Sequence, residues 1–320
     1  MEPQDARAFL ARLSERIEGR LFGVRHPLRL VLTAILADSH ALIDDVPGVG
    51  KTTLVRMLAA LLGLDFARVQ FTPDLMPSDI TGTSVLNLKT QDFEFRPGPV
   101  FTQILLADEI NRATPKTQAA LLEAMQERQV TVDGVTYPLP QPFFVLATQN
   151  PVELEGTFPL PEAQLDRFLL RVRMGYPDQE DEERIVAAGR ESRAFPAEPL
   201  DQVPDLRDLR RLVDAVRVEA PVRRYAVALA RATRGHPELA VGASPRAVEH
   251  LGDAVRAWAL LAGRDFVLPD DVKELSGPVL AHRLVATTDA RIRDRRVEDI
   301  LGEVVEGVEV PVEFGSSVGG

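Results

Sequence analysis

The chain of 320 residues contains no cysteine, and this absence excludes disulfide frameworks, thiolate metal sites and cysteine nucleophiles. It also has no run of about 18 apolar residues, the length that a membrane-spanning helix needs. Residues 1–20 are charged and helix-like, and they lack the apolar stretch and cleavage site of a signal peptide. These absences predict a cytoplasmic protein that does not insert into a membrane.

Lysine is scarce, because 33 of the 37 basic residues are arginines. Acidic residues number 48, so the net charge is −11. A protein with that charge is poorly suited to coating nucleic acid or anionic lipid, since both are polyanions. The composition is otherwise that of a globular protein, with 45% apolar and 27% charged residues.

The hydrophobic pattern changes along the chain and predicts an α/β fold class. Continuous apolar runs predict buried parallel strands at 41–43, 104–107, 143–147 and 168–172, with a hairpin at 130–137. Helical periodicity predicts helices at 7–20, 27–38 and 51–62. It dominates from about residue 178, where strand signals disappear. The expected segments are an N-terminal helix at 1–25, an α/β domain with a parallel sheet core at 26–176, an all-helical domain at 177–306 and a flexible tail at 307–320.

A glycine-rich loop lies between the first predicted strand and the helix at 51–62. A polyphosphate site needs inward backbone N–H groups, a lysine for the outer phosphates, a hydroxyl for Mg²⁺ and a helix N-terminus. Gly48, Gly50, Lys51 and Thr52 supply these features, although Asp45 replaces the first glycine of the usual pattern. The residues predicted to hold the nucleotide are Asp45, Val46, Pro47, Gly48, Val49, Gly50, Lys51, Thr52, Thr53 and Asp108.

An acidic pair, Asp108-Glu109, follows the apolar run at 104–107. One carboxylate at a strand end can hold the water shell of Mg²⁺, and the next can polarise the attacking water. An acidic strand end is weak evidence alone, but beside a phosphate loop it predicts a nucleoside triphosphatase. Thr52 and Asp108 are the predicted magnesium residues, acting through nucleotide and water.

A third polar strand end, Thr148-Gln149-Asn150, follows the apolar run at 143–147. A side chain in this place can lie beside the outermost phosphate and position water. Taken alone, an asparagine before Pro151 is more typical of a turn at a strand end.

Four stretches together resemble the MoxR group of AAA+ ATPases. They are DVPGVGKT at 45–52, LLADEINRATPKTQAALLEAMQERQVTVDG at 105–134, FFVLATQNPVELEGTFPLPEAQLDRFLL at 143–170 and GASPRAVEHL at 242–251. The resemblance covers roughly residues 20–300 and implies a P-loop NTPase of the AAA+ type with a C-terminal helical lid. It implies ATP and Mg²⁺ as cofactors.

The resemblance assigns roles to single residues. Lys51 and Thr52 match Walker A, and Asp108 and Glu109 match Walker B. The implied catalytic residues are Glu109 as the base, Asn150 as sensor 1, Arg167 as a finger that reaches a neighbouring subunit's γ-phosphate, and Arg246 as the sensor 2 arginine of the lid. Arg112 is either a sensor of the neighbouring subunit or part of a local ion pair.

Two insertions of the family also have counterparts here. Residues 72–101 resemble its insertion in helix 2, and the hairpin at 130–137 resembles its insertion before sensor 1. The family usually carries a Val-Gly-Gln element beside the adenine, whereas this chain reads Leu-Phe-Gly-Val-Arg at 21–25.

The resemblance implies a homo-oligomer, a hexameric ring, that remodels, matures or assembles protein complexes. The partner implied is a separate protein with a von Willebrand factor A domain, and the client is unknown. A nucleic-acid motor is the main alternative, but the hairpin at 130–137 has no basic residue with which to grip phosphates. A magnesium-chelatase-type motor subunit and a slow nucleotide-gated scaffold also stay open.

Overall fold

The computed structural model describes residues 1–44, 48–149, 156–189 and 198–311. Four predicted site residues, Asp45, Val46, Pro47 and Asn150, lie outside the described residues, and so does most of the predicted tail. Within the described ranges no helix has the length and apolar character needed to cross a bilayer.

The helices are numbered α1 to α13 along the described chain. They span Pro3–Glu18, Arg25–Leu36, Lys51–Leu62, Pro77–Thr81, Pro115–Glu127, Glu162–Leu165, Gln179–Ala188, Leu206–Asp214, Ala220–Arg234, Pro245–Leu261, Pro269–Leu280, Thr288–Ile292 and Val297–Gly307. Two short 3₁₀ helices lie at Ile110–Arg112 and Ala281–Arg283.

The strands are numbered β1 to β11. They span His40–Asp44, Phe66–Gln70, Gly82–Asn87, Asp92–Pro97, Ile104–Asp108, Gln129–Val132, Val135–Pro138, Phe144–Gln149, Phe168–Val172, Leu239–Val241 and Val285–Ala286.

Helix α3 occupies the predicted residues 51–62. It starts directly after Gly50, which has a φ of +89°. It ends at Gly63, whose left-handed conformation (φ +63°) lets its N–H bond back to the last turn. Helix α5 starts as a typical capped helix does, with the Thr114 hydroxyl accepting from the Thr117 N–H and a proline in the first turn.

Five strands form the central sheet, in the order β2-β5-β8-β1-β9. All four neighbouring pairs are parallel. The carboxyl ends of β1, β5 and β8 therefore meet at one edge of the sheet, which we call the carboxyl edge. In open α/β sheets this is the edge where ligands bind. The predicted parallel core is confirmed.

The two faces of the sheet carry separate hydrophobic cores. On one face, side chains from α1, α2 and α3 join those of the C-terminal helices in a single continuous cluster. Helix α10 packs directly on α2, and α11 packs on β9. On the other face, α5 and the start of the 129–138 hairpin cover a smaller cluster. The C-terminal helices are thus built onto the sheet.

The structure contains strands that the sequence pattern does not predict, among them the hairpin of β3 and β4. Strands β10 and β11 form a short antiparallel pair among the C-terminal helices, so the expectation of an all-helical region is wrong there. These strands have only three and two residues, too few to produce a strand pattern. Strand β2 was not expected either, because Arg68 and Gln70 interrupt its apolar residues and only Val69 is buried.

His40 ties β1 to the elements beside it. Its Nδ1 accepts from the Val145 N–H at 3.0 Å, and its Nε2 lies 3.2 Å from the Met125 carbonyl oxygen. Both bonds are satisfied when the ring is neutral and Nε2 carries the proton. Burial, aided by the nearby Arg128, lowers the pKa of His40 to about 3.

We expect the free energy of unfolding to fall as the pH is lowered from about 7 to about 5. Burial lowers the pKa of His40 to about 3 and that of His250 to about 4, and it lowers the pKa of His282 well below its ordinary value. Histidines in the unfolded chain take up protons first, as the pH falls through about 6.5. Each contributes up to about 1.4 kcal/mol per pH unit, measurable by urea denaturation.

The same titration has an internal control. Between about pH 7.5 and 8.5 these histidines are neutral in both states, so they should add no pH dependence there. An equal free energy of unfolding at about pH 7 and pH 5 would contradict their neutral burial.

Candidate functional site

The described part of the glycine-rich loop has the backbone form that a phosphate site requires. Gly48 and Gly50 have φ angles of +90° and +89°, a region that other residues rarely adopt. A Cβ built on either glycine would meet no atom within 4 Å, so open space lies beside this backbone. Gly50 directly precedes α3, and the first backbone N–H groups of a helix are available to an anion.

Lys51, Thr52 and Thr53 form the first turn of α3 and are half-buried. Their position at the helix N-terminus places an ammonium and two hydroxyls where the helix dipole already favours negative charge. The structure therefore places these three predicted residues together, at the carboxyl edge that β1 shares with β5 and β8.

Asp108 ends β5 at the same edge and is almost completely buried. Its Oδ1 accepts a hydrogen bond of 2.8 Å from the Thr148 hydroxyl. Its Oδ2 accepts from Arg68 Nε at 2.8 Å. Both carboxylate oxygens are therefore held by neighbouring strands, which fixes the direction in which Asp108 faces.

Glu109 follows in a left-handed backbone conformation, with φ of +57° and ψ of +48°. This conformation is strained for a residue with a side chain, and strain of this kind is often found at functional sites. The Glu109 N–H donates to the Thr148 hydroxyl oxygen at 2.9 Å. The Glu109 side chain accepts from Arg112 at 3.1 Å, so Arg112 belongs to a local ion pair.

Thr148 lies in this site, although the predicted site did not include it. Its hydroxyl donates to Asp108 and accepts from the backbone of Glu109, so one buried side chain orients both acidic residues. The sequence signal was present, because Thr148 is the first polar residue after a buried apolar run. The sequence pattern alone places Thr148 only in the polar strand end that leads to Asn150.

The residues at this edge fit a magnesium ion carried in with a nucleotide. In the described residues, no group of three or more acidic or histidine side chains is arranged to hold a metal alone. Mg²⁺ usually takes one or two protein ligands and fills its other positions with phosphate oxygens and water. Thr52 and Asp108 supply that donor set, with the phosphate loop beside them.

A cavity of about 780 Å³ opens beside Gly48 and Gly50. Its apolar lining comes from both ends of the α/β region and from α7, and includes Leu21, Phe22, Val24, Tyr176 and Ile185. The volume and the lining are those of a small-molecule site. The segment at 21–25, which lacks the expected glutamine, thus contributes apolar contacts to this cavity.

Arg167 lies at the opposite edge of the sheet from the loop, where β1 and β9 begin. We call this the far edge. It directly precedes β9, whose first residue pairs with His40 at the start of β1. Its Nη1 donates to the Leu122 carbonyl at 2.9 Å and contacts Gln126 on α5. Since a five-residue strand spans about 17 Å, Arg167 lies far from the phosphate loop of its own chain.

Arg246 lies at the same far edge. Its Nε is 3.7 Å from Asp166 Oδ2, and Asp166 is the residue before Arg167. The other oxygen of Asp166 accepts from Arg283 Nε at 2.7 Å. The structure therefore brings Arg167 and Arg246 together, but it does not bring either to the carboxyl edge.

Arg283 anchors this far edge. Its side chain is only 3% exposed. It donates to the carbonyl oxygens of Phe168 and Leu169 on β9, at 2.6 and 3.1 Å. Burial lowers its pKa, and the hydrogen bond and charge of Asp166 act in the opposite direction. The arginine thus links the C-terminal helices to the residues around Arg167.

We expect Thr148→Val to destabilise the fold by about 1–3 kcal/mol, because valine has nearly the same shape but leaves Asp108 Oδ1 and the Glu109 N–H without their shared partner. Thr136→Val is the matched control. That hydroxyl contacts only Thr131 in an exposed hairpin, so its loss should change stability by less than about 0.5 kcal/mol. Urea denaturation measures both, and equal values for the two variants would contradict the bridging role.

Comparison with known proteins identifies the family. Residues 40–170 match the model described as the ATPase family associated with various cellular activities (AAA), and residues 231–304 match the AAA lid domain. The uncharacterized protein YeaC of Bacillus subtilis is 48% identical over 97% of each chain. Chaperone MoxR1 of Mycobacterium tuberculosis is 43% identical over 88% of this chain and 77% of its own. A crystal structure from Cytophaga hutchinsonii, described as a candidate ATPase, superposes with a TM-score of 0.89 at 36% identity over 97% of each chain. On this likeness, the chain belongs to the MoxR family of AAA+ ATPases.

Proposed function

We propose that this ATPase hydrolyses ATP with Mg²⁺ in a closed ring of identical subunits and that the ring remodels or assembles protein complexes. One observation carries the proposal. The phosphate loop and the acidic pair lie at the carboxyl edge of the sheet, whereas Arg167 and Arg246 lie at the other edge. A site that needs these arginines is complete only when a second subunit docks beside it.

The chemistry at the carboxyl edge follows from the residues there. Lys51 and the N–H groups at the start of α3 bind the phosphates, and the cavity next to Gly48 takes the base. Thr52 and Asp108 would hold Mg²⁺, which offsets negative charge on the phosphates. Glu109 accepts a proton from the attacking water, and Thr148 holds its backbone in place for this. We assign the positioning of that water to Asn150.

We expect Glu109→Gln to retain nucleotide binding and to lose hydrolysis by about a hundredfold or more, because the amide cannot accept the proton. Lys51→Ala should instead weaken binding itself. Fluorescent-nucleotide binding and phosphate release separate the two effects. Glu123→Gln, on the exposed side of α5, is the matched control and should leave both unchanged. Full turnover in Glu109→Gln would contradict the assignment of the base.

We infer the ring from the separation between the phosphate loop with its acidic pair and the two arginines at the other edge. A contact that joins one edge of a subunit to the opposite edge of the next is heterologous, and it makes a ring when the rotation closes. Arginine charge supplied by a neighbour stabilises the transferred phosphoryl group and can raise the rate by about 10³-fold or more. The hexamer implied by the family resemblance is our proposed closure.

We expect Arg167→Ala and Glu109→Gln to be inactive separately and to recover activity when mixed. A mixed ring contains some sites in which an intact Glu109 faces an intact Arg167 of the neighbour. The ATPase rate of the mixture, measured across protein concentrations, tests this directly. An Arg167→Ala protein with a full, concentration-independent rate would contradict the shared site and favour a monomeric switch.

Protein clients are favoured by the two hairpins formed by β3–β4 and β6–β7. The rings of Phe95 and Tyr137 stack at 4.0 Å, which joins the hairpins into one unit. Phe93 pairs with Leu86 across the β3–β4 hairpin, and the two side chains are 74% and 45% exposed. Leu88, just beyond β3, is 84% exposed. Exposed apolar groups that lie together are typical of protein contact surfaces.

A nucleic-acid motor and a fixed scaffold are both less well supported than a remodeller of protein complexes. The hairpin at 129–138 carries no lysine or arginine, so it is poorly equipped to follow a phosphate backbone. A relative named as a chaperone supports the remodelling role.

We propose a separate partner with a von Willebrand factor A domain. The cytoplasmic location stays a prediction. Strong stimulation of the ATPase by DNA would favour the nucleic-acid motor instead.

A further inference from the structure

Arg68 makes the most direct contact with the magnesium residue Asp108. It lies on β2, the edge strand, and the pairing of Gln70 with Asp108 brings the two strands into register. Arg68 Nε and Nη2 lie 2.8 and 2.7 Å from the same oxygen, Asp108 Oδ2. Nη2 also donates to Gln70 Oε1 at 3.1 Å. The guanidinium is therefore held by two acceptors on the carboxyl edge.

This contact leaves Asp108 little capacity for another donor. Oδ1 already accepts from Thr148, and Oδ2 accepts from Arg68 Nε, with Nη2 of the same guanidinium 2.7 Å away. The charged guanidinium therefore occupies the side of Oδ2 that faces it. A water in the shell of a metal ion must compete with Arg68 for Oδ2.

The two partners differ in their freedom to move. The Asp108 side chain is 10% exposed, whereas that of Arg68 is 48% exposed. Asp108 is also fixed from the other side by Thr148. The guanidinium can therefore withdraw toward solvent while the carboxylate stays in place. An ion pair with one buried, fixed partner and one half-exposed partner can be broken from one side.

We propose that Arg68 is a positioning residue that acts as an internal counter-cation on Asp108, and that magnesium and nucleotide must displace it when they bind. This inference rests on the proposed function, because it concerns the same magnesium site. Arg68 keeps the carboxylate oriented, and it sets how much Mg²⁺ is needed to load the site. The planar fork of arginine matters, since it places two nitrogen atoms against one carboxylate oxygen while one of them also bonds to Gln70.

Nucleotide binding to variants that cannot hydrolyse tests the inference. Arg68→Gln, Arg68→Lys and the control Arg12→Gln are each made in the Glu109→Gln background. The affinity for a fluorescent ATP analogue is measured over a range of Mg²⁺ concentrations. Binding of Mn²⁺ to the nucleotide-loaded proteins, followed by electron paramagnetic resonance, gives a readout that is independent of activity.

Arg68→Gln should lower the Mg²⁺ concentration for half-maximal binding by roughly fivefold, because the competing charge is gone. Mn²⁺ affinity should rise by a similar factor. The Mg²⁺ requirement of Arg68→Lys should lie between that of Arg68→Gln and that of the background protein, since lysine keeps the charge and loses the planar fork. Arg12 lies on the exposed side of α1 and does not line the cavity beside Gly48 and Gly50, so its variant should match the background protein.

An unchanged or raised Mg²⁺ requirement in folded Arg68→Gln and Arg68→Lys would overturn the inference and leave the proposed function intact. Circular dichroism and urea denaturation identify any variant that has not folded, and the lysine variant then decides. If the background protein itself bound nucleotide with no dependence on Mg²⁺ or Mn²⁺, the proposed function would fail and this inference with it.

Discussion

The carboxyl edge of the sheet depends on one hydroxyl between two strands. Thr148 on β8 donates to the side chain of Asp108 and accepts from the backbone of Glu109. Because β5 and β8 are parallel neighbours, their ends meet, and the hydroxyl spans the gap. The left-handed conformation of Glu109 is held by this bond and by the ion pair with Arg112. The acidic pair is therefore oriented by the fold before any ligand contributes.

Arginine carries much of the charge balance around these groups. Each member of the acidic pair has its own guanidinium partner, Arg68 for Asp108 and Arg112 for Glu109. At the far edge, the carboxylate of Asp166 is shared by Arg246 and Arg283. A guanidinium stays charged when it is partly buried and offers several donors, whereas an ammonium is more costly to desolvate. A chain with few lysines is thus equipped for half-buried ion pairs.

Much of the fold was readable from the sequence because its central strands are continuous apolar runs and α3 is bounded by glycines. The acidic pair and the start of α3 lie at one edge, since the ends of parallel strands must meet. Arg68 was missed because β2 is an edge strand without an apolar run. The location of Arg246 was not readable either. It depends on how the C-terminal helices pack on the sheet, and helical periodicity does not determine that packing.

The continuous core on one face of the sheet has a mechanical consequence. Helices from both ends of the chain share that core with β9, so the described C-terminal helices pack directly on the sheet. Close-packed interiors are stiff and transmit displacement instead of absorbing it. A shift of β9 would then move the far edge, with Asp166 and Arg283, as one body. In an assembly of such subunits, the contacts between subunits would deform more easily than the interior of each subunit.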